Sequence, residues 1–152
     1  MLVRFSLLAF GLMAGFFFAY SVTVMPGLDI SSRDSAIEAM QGINRVVRNP
    51  VFFVTFFGAA ALPLAAAALA FFKGRKLVAT LMLCAGVVYV VGVVVLTAQI
   101  HVPMNNALAL VDLPADGDVW STYSADWTLW NHVRGAFCIL CLGLSAEAMR
   151  VS

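Results

Sequence analysis

The sequence predicts an all-α protein, a bundle of four transmembrane helices with short amphipathic helices in its extracytoplasmic connections. Of its 152 residues, 62% are hydrophobic and only 11% are charged, whereas soluble domains are nearer half apolar and a quarter charged. Three uncharged stretches are each 24 residues long, more than the roughly 20 residues that cross about 30 Å of hydrocarbon. At this length we expect a single four-helix domain, residues 1–152.

The first uncharged stretch is Phe5–Leu28. A basic residue, Arg4, precedes it, and a basic residue followed by an apolar run is also the pattern of a signal peptide. No clear small-residue cleavage site comes after Phe18, so we interpret the stretch as a retained first helix. We expect this helix to be broken by the Met-Pro-Gly sequence at Pro26.

The connection after the first helix is predicted to contain an amphipathic helix. Ser35 and Glu38 have the spacing of a helix-capping box. Two adjacent stripes follow at helical spacing: an apolar one of Ile37, Met40, Asn44 and Val47, and a polar one of Glu38, Gln41, Arg45 and Arg48. Such a helix lies on the bilayer or caps the bundle. Asn44, on the apolar side, argues against a simply solvated helix.

The remaining helices are less alike. Asn49–Phe72 and Leu77–Ile100 are uncharged, and Pro50 can open the second helix because a first-turn proline costs no helical hydrogen bond. The fourth apolar run, Gly135–Ala146, is too short to cross a membrane alone. We therefore expect its helix to begin near Trp127 and to carry polar residues into the membrane.

The distribution of Lys and Arg predicts a multi-pass protein with both termini in the cytoplasm. The turn at residues 73–76 contributes three basic residues, and Arg4 and Arg150 would lie on the same side. The segment from His101 to Trp130 contains no Lys or Arg. By the positive-inside rule, the two longer connections face the extracytoplasmic side.

Polar residues are costly in lipid, so their positions are the most informative about function. They collect at the end of the third helix, at the start of the fourth, and in the first connection. The polar layer includes Asn44, Asn105, Asn106, Trp127, Trp130, Asn131, His101, His132 and Arg134. With the predicted topology, all of them lie at the extracytoplasmic end.

Arg134 lies on a stripe of the fourth helix that mixes polar and small residues and should face the bundle interior. The stripe consists of Trp127, Asn131, Arg134, Cys138, Cys141 and Ser145. Two interpretations of Arg134 stay open. It is a structural residue that pairs with Asp126 or with helix-end carbonyls, or it points into a polar cavity and holds an anion.

His101 and His132 are the only histidines. A lone histidine at a helix end is usually an interfacial hydrogen-bonding residue, but two at one depth beside an arginine favour a base or a ligand. Histidine is suited to proton abstraction near neutral pH. The same two histidines could instead hold haem b between His101 and His132. A copper ion bound by the same histidines is a less favoured alternative.

The three cysteines do not predict a redox or metal site. Cys84, Cys138 and Cys141 all lie in apolar stretches, and their odd number argues against a secreted disulfide framework. Cys138 and Cys141 are spaced as CxxC, but a thiol buried in an apolar run is unreactive, so we expect core packing. Zinc lacks ligands. A net charge of +1 excludes a basic surface for nucleic acid.

Four elements resemble the small four-helix membrane proteins of the anthrone oxygenase-like family: GFFFAYSVTVMPGL, AMQGINRVVRNPVFF, LTAQIHVPMNNALA and WSTYSADWTLWNHVRG. The resemblance covers most of the chain, and its VPxNN and WNxxR parts are the most specific. It implies an oxygenase that converts polyketide anthrones to anthraquinones with O₂, without a metal or flavin. It also implies a pocket formed by Asn44, Asn105, Asn106, Trp130, Asn131 and Arg134.

The first functional hypothesis is a cofactor-independent membrane oxygenase or oxidase that acts on a hydrophobic phenolic or quinol-like molecule. His132 or His101 would take a proton, and Arg134 with asparagine amides would stabilise the oxyanion. Trp127 and Trp130 would stack on the substrate rings, unless they serve only as interfacial anchors.

Two rival hypotheses remain. One is a haem- or metal-binding redox membrane protein that uses both histidines. The other is a non-enzymatic bundle that binds membrane lipid or quinone, or a subunit of a larger complex. Gly11 and Gly15 have the GxxxG spacing that permits close helix approach, within the chain or in a homo-oligomer.

Overall fold

A computed structural model describes residues 1–152, which form five helices and no strands. The helices are α1 (Leu2–Asp29), α2 (Arg33–Val46), α3 (Pro50–Phe72), α4 (Lys76–Leu108) and α5 (Val119–Arg150). All except α2 are long and apolar enough to cross a membrane. The predicted all-α four-helix bundle is confirmed, and its four long helices are compatible with a multi-pass integral membrane protein.

The four long helices form a ring in which α1 packs against α5 and α3, and α4 packs against α3 and α5. Glycines permit the two contacts of α4. A Cβ added at Gly86 would overlap the side chain of Leu64 on α3, and one added at Gly92 would overlap the ring of Phe137 on α5. Gly11, in the predicted GxxxG motif, faces α5 of the same chain.

The prediction that the Pro26 region breaks the first helix is wrong. α1 continues to Asp29, because a π-helical turn at Tyr20–Val24 precedes the proline. Proline in a helix interior removes a hydrogen bond and clashes with the carbonyl four residues earlier. The wider π turn relieves this clash.

α4 repeats the arrangement, since a π turn at Thr97–His101 precedes Pro103. The helix therefore continues beyond the uncharged stretch that ends at Ile100 and reaches Leu108. Its last turns carry the polar residues of the VPxNN element above the apolar part of the helix.

α2 lies across one end of the bundle. Its N-cap is Ser32, whose hydroxyl accepts a hydrogen bond from the Ser35 amide (3.4 Å), so the capping box predicted at Ser35 is wrong. The predicted apolar stripe is confirmed. Ile37 and Met40 are buried against the ends of α1 and α4 and the start of α5, and Asn44 is buried with them.

α5 begins at Val119 and not near the predicted Trp127. Asp29, at the end of α1, explains the extra turns: its carboxylate accepts hydrogen bonds from Trp120 Nε1 (2.9 Å) and Ser124 Oγ (2.7 Å). The second connection, residues 109–118, consists of turns and coil.

α3 begins as predicted, with Pro50 in its first turn and Asn49 as its N-cap. The Asn49 side chain accepts a hydrogen bond of 3.0 Å from the Phe52 amide. In the middle of the bundle, Cys138 and Cys141 are free thiols buried in the apolar core.

Candidate substrate cavity

A cavity of about 320 Å³ lies inside the ring of helices, beneath α2. All five helices contribute to its lining, which is mostly apolar and aromatic. Pockets that bind organic molecules in proteins are typically about 300–1,000 Å³ and apolar, with a few polar groups that orient the ligand. The cavity has both properties.

The polar groups of the cavity come from the predicted polar layer. Of the nine predicted site residues, five line this one space: Asn44, His101, Asn105, Trp127 and Arg134. Thr97 and Arg48 complete the polar lining. Helices that are distant in sequence therefore bring polar side chains, which are unfavourable in lipid, to one interior surface.

Arg134 is a buried cation without a carboxylate partner; its exposed fraction is 5%. Its guanidinium donates from Nη1 to Thr97 Oγ1 (3.2 Å) and from Nη2 to Asn131 Oδ1 (2.8 Å), and its Nε has no partner. The salt bridges in the structure involve other residues, so the predicted alternative of a pair with Asp126 is not formed.

Two aromatic rings hold the Arg134 guanidinium in place. The carbon Cζ lies 4.5 Å from the ring centroid of Phe17 and 5.4 Å from that of Trp127. Ring faces attract a cation but do not neutralise it. Since a buried charge without a counterion is costly, this arrangement favours an anion in the cavity.

His101 lies on the same wall and has an exposed fraction of 1%. Its ring meets Trp127 edge to face, with centroids 5.2 Å apart. Neither Nδ1 nor Nε2 has a hydrogen-bond partner, although buried polar atoms are normally paired. The imidazole is therefore free to bond a molecule in the cavity.

Asn105 is the centre of a hydrogen-bond network on the cavity wall. Its Oδ1 accepts from Tyr123 OH (2.8 Å) and Trp127 Nε1 (3.2 Å). The Tyr123 hydroxyl also accepts from Asn44 Nδ2 (3.3 Å). Tyr123, which is not among the predicted site residues, lies one turn before Trp127 on the same face of α5. That spacing was the signal that could have revealed it.

Three of the predicted pocket residues lie outside the cavity. Asn131 is buried behind Arg134 and donates from Nδ2 to the Phe17 carbonyl (2.7 Å) and to Ser21 Oγ (2.7 Å). Asn106 lies at the rim, where its Oδ1 accepts from Arg48 Nη2 (3.4 Å). Trp130 is exposed on the outer surface of α5.

The structure does not bring the two histidines together. His132 is exposed and lies in a separate shallow depression beside Asp29 and Trp120. Positions two residues apart on a helix do not share a face, so His132 cannot share the interior face of Arg134. A haem held between His101 and His132 would require both side chains to face one cavity. His101 lines the cavity and His132 lies in the separate depression, so they do not share one.

The donor set for a metal ion is also small. No group of three or more His, Cys, Asp or Glu side chains lies close enough to hold an ion. Around His101 the other polar groups are amides, a hydroxyl and a guanidinium, and a guanidinium cannot act as a metal ligand because it carries only donors.

Comparison with known proteins identifies the family. The model of the anthrone oxygenase family matches residues 52–144, which is more than half of the chain. Neither a search of curated proteins nor a search of solved structures found a match. The chain belongs to the anthrone oxygenase family, as the sequence elements predicted.

Proposed function

We propose that this member of the anthrone oxygenase family oxidises a flat, hydrophobic phenolic or quinol-like molecule with O₂ in the cavity beneath α2. One observation carries the proposal: a buried arginine without a carboxylate partner and a buried histidine without any partner line one wall of an aromatic cavity. The pair supplies a base and an oxyanion donor in a mostly apolar, aromatic site.

An anthrone-like ligand illustrates the chemistry. Its central CH₂ group is acidic, because loss of a proton converts the middle ring into an aromatic enolate. In the proposed mechanism a neutral His101 takes this proton, and Arg134 donates hydrogen bonds to the oxygen on which negative charge develops. Preorganised donors of this kind are most effective in a dry, low-dielectric site.

The electron-rich carbon of the enolate then reacts with O₂ and forms a carbon–oxygen bond. Protonation gives a hydroperoxide, which loses water and leaves a carbonyl group. One oxygen atom of O₂ thus becomes the new quinone oxygen and the other leaves as water. The CH₂ group supplies both electron pairs, so no external reductant is needed, and the proposal assigns no cofactor.

The aromatic lining supports a planar substrate. The rings of Phe17, Phe56 and Trp127 surround the polar wall, and all three are buried. Trp127 is held by its bond to Asn105, so its ring is a fixed surface for stacking. Aromatic pairs add roughly 0.5–1.5 kcal/mol beyond the burial of their area.

The decisive experiment measures O₂ consumption and quinone absorbance with a hydroxylated anthrone and the purified protein in lipid nanodiscs. We expect turnover by the wild type and a loss of about 10²- to 10³-fold in kcat/KM for His101→Asn and Arg134→Gln. His132→Gln is the matched control, because this histidine lies outside the cavity, and it should retain wild-type activity. Absence of turnover by the wild type with anthrones and quinols would reject the proposal.

We further propose that both termini are cytoplasmic and that the cavity lies at the extracytoplasmic end. The cluster Lys73, Arg75 and Lys76 at the opposite end of the bundle supports this orientation by the positive-inside rule. A C-terminal green fluorescent protein fusion should be fluorescent, and alkaline phosphatase inserted in residues 109–118 should be active. The reverse pattern would overturn the assignment.

A further inference from the structure

We propose that the cavity takes up its ligand from within the bilayer, through an apolar mouth between α3 and α4. The mouth is formed by Phe53, Phe57, Ala98 and Val102. This inference rests on the proposed function, since it concerns the same cavity, but it assigns the path by which a ligand arrives. It also specifies the ligand class: a flat molecule dissolved in lipid, with one acidic or phenolic oxygen at its leading end.

The exposure of the lining residues locates the mouth. Five of the residues that line the cavity are exposed: Phe53 (42%), Phe57 (53%) and Val102 (43%), together with Ala98 and Arg48. The first four are apolar and lie on the neighbouring helices α3 and α4, whereas Arg48 follows α2 and donates to Asn106 at the rim. The polar residues His101 and Arg134 on the inner wall are buried. The cavity therefore changes from apolar at its opening to polar at its closed end.

The packing of α4 explains why an opening exists there. Contact between α3 and α4 is concentrated in the first half of α4, Lys76–Tyr89, where Gly86 lies against Leu64. Beyond Tyr89 the helix enters its π turns and Gly92 packs against Phe137 of α5. α4 is thus held against α5 at the level of the cavity, and α3 is left without a close partner on that side.

Hydrogen bonds close the end of the cavity that α2 covers. Gln41 Nε2 donates to the carbonyls of Leu108 (2.9 Å) and Val111 (3.0 Å), which ties α2 to the end of α4. Arg48 Nη2 donates to Asn106 Oδ1 across the rim (3.4 Å). A ligand arriving from water would have to break these contacts, whereas the mouth between α3 and α4 presents only side chains that lipid solvates.

An aromatic wall closes the side between α1 and α3. The ring of Phe16 lies 4.7 Å from that of Tyr20 and 5.3 Å from that of Phe52, centroid to centroid. A separate apolar groove lies behind this wall and shares five lining residues with the cavity: Phe16, Tyr20, Phe52, Ile43 and Val47. The mouth between α3 and α4 is therefore the side on which the cavity opens to the surface.

The test follows binding and not turnover. Protein in proteoliposomes is mixed with liposomes that carry a hydroxyanthraquinone, and quenching of tryptophan fluorescence reports the association rate. We expect Ala98→Trp, which fills the mouth, to slow association at least about tenfold. Ala136→Trp is the matched control, because Ala136 is exposed on α5 outside the cavity, and it should bind at the wild-type rate.

A second variant avoids any effect of the bulky residue on folding. Ala98→Cys in a Cys84→Ser background is folded first and then modified with a bulky lipophilic thiol reagent. Association should be normal before modification and slow afterwards. Unchanged rates in both the modified cysteine variant and Ala98→Trp would overturn the proposal, as would a wild type that does not bind the probe.

The outcomes separate this inference from the proposed function. Binding that depends on position 98 without any oxidation supports the mouth and rejects the oxygenase proposal. Oxidation by Ala98→Trp together with association at the wild-type rate supports the oxygenase proposal and rejects the mouth.

Discussion

Asn131 Oδ1 accepts a hydrogen bond of 2.8 Å from Arg134 Nη2 one turn further along α5. Through its Nδ2, the same amide donates to the carbonyl of Phe17, the residue whose ring lies against the guanidinium. Asn131 therefore connects α1 to the only cation buried beside the cavity. It does not touch the cavity itself and acts as a positioning residue.

Replacement of Asn131 should affect stability and ligand affinity together. Asn131→Leu removes one of the two hydrogen bonds of the Arg134 guanidinium, together with the amide bonds to the Phe17 carbonyl and Ser21 Oγ, while the bond from Arg134 Nη1 to Thr97 remains. Loss of a buried hydrogen-bond partner typically costs about 1–3 kcal/mol. We expect a lower unfolding temperature and weaker binding of a hydroxyanthraquinone. Ser21→Ala removes one bond to Asn131 but none to Arg134, so it should reduce stability slightly and leave affinity near wild type. Equal loss of affinity in both variants would contradict the positioning role.

The Tyr123 hydroxyl should matter because it joins two asparagines of the cavity wall. Tyr123→Phe removes the links to Asn44 and Asn105 but keeps the ring, at a cost of about 1 kcal/mol. We expect a several-fold loss of kcat/KM in the anthrone assay. Thr122→Val is the control, because Thr122 is exposed and does not line the cavity. Unchanged kinetics in Tyr123→Phe would show that the network does not support the site.

Gly92 should be intolerant of any side chain. Gly92→Ala places a methyl group where the ring of Phe137 lies, and overpacking of this kind costs about 1–3 kcal/mol. Thermal unfolding in detergent should show a clear decrease in stability. Gly143→Ala is the matched control, since a Cβ there meets nothing within 4 Å and alanine is the better helix former by roughly 1 kcal/mol. A stabilised Gly92→Ala would contradict the close approach of α4 and α5.

Thiol labelling should distinguish core cysteines from surface ones. Cys138 and Cys141 are fully buried, whereas Cys84 is exposed on the outer surface of α4. Under native conditions a membrane-permeant maleimide should add one label per chain, at Cys84, and all three should react after denaturation. Peptide mass spectrometry gives the site. Native labelling of Cys138 would show that the core opens or that these thiols take part in function.

Hydrophobic run length was sufficient to predict the number of long helices, because the thickness of the bilayer requires an apolar segment of known length. It was not sufficient for their ends. α1 passes through Pro26 and α5 starts at Val119. The first departure depends on a local π turn that accommodates the proline. The second depends on a contact distant in sequence, in which the Asp29 carboxylate accepts hydrogen bonds from Trp120 and Ser124 of α5.

The sequence by itself determined the fold class, through the length of its apolar runs, and the family, through its sequence elements. It also determined the level of the bundle at which polar residues gather, because the cost of polar groups in lipid acts on each residue separately. Only the tertiary structure decided which of these residues share a space. Helix rotation turns His101 and Arg134 inward and His132 outward, and rotation is set by packing between helices, as at Gly92 and Phe137. The identity of the residues did not reveal this, since whether a polar side chain meets a cavity depends on the neighbours that the fold brings to it.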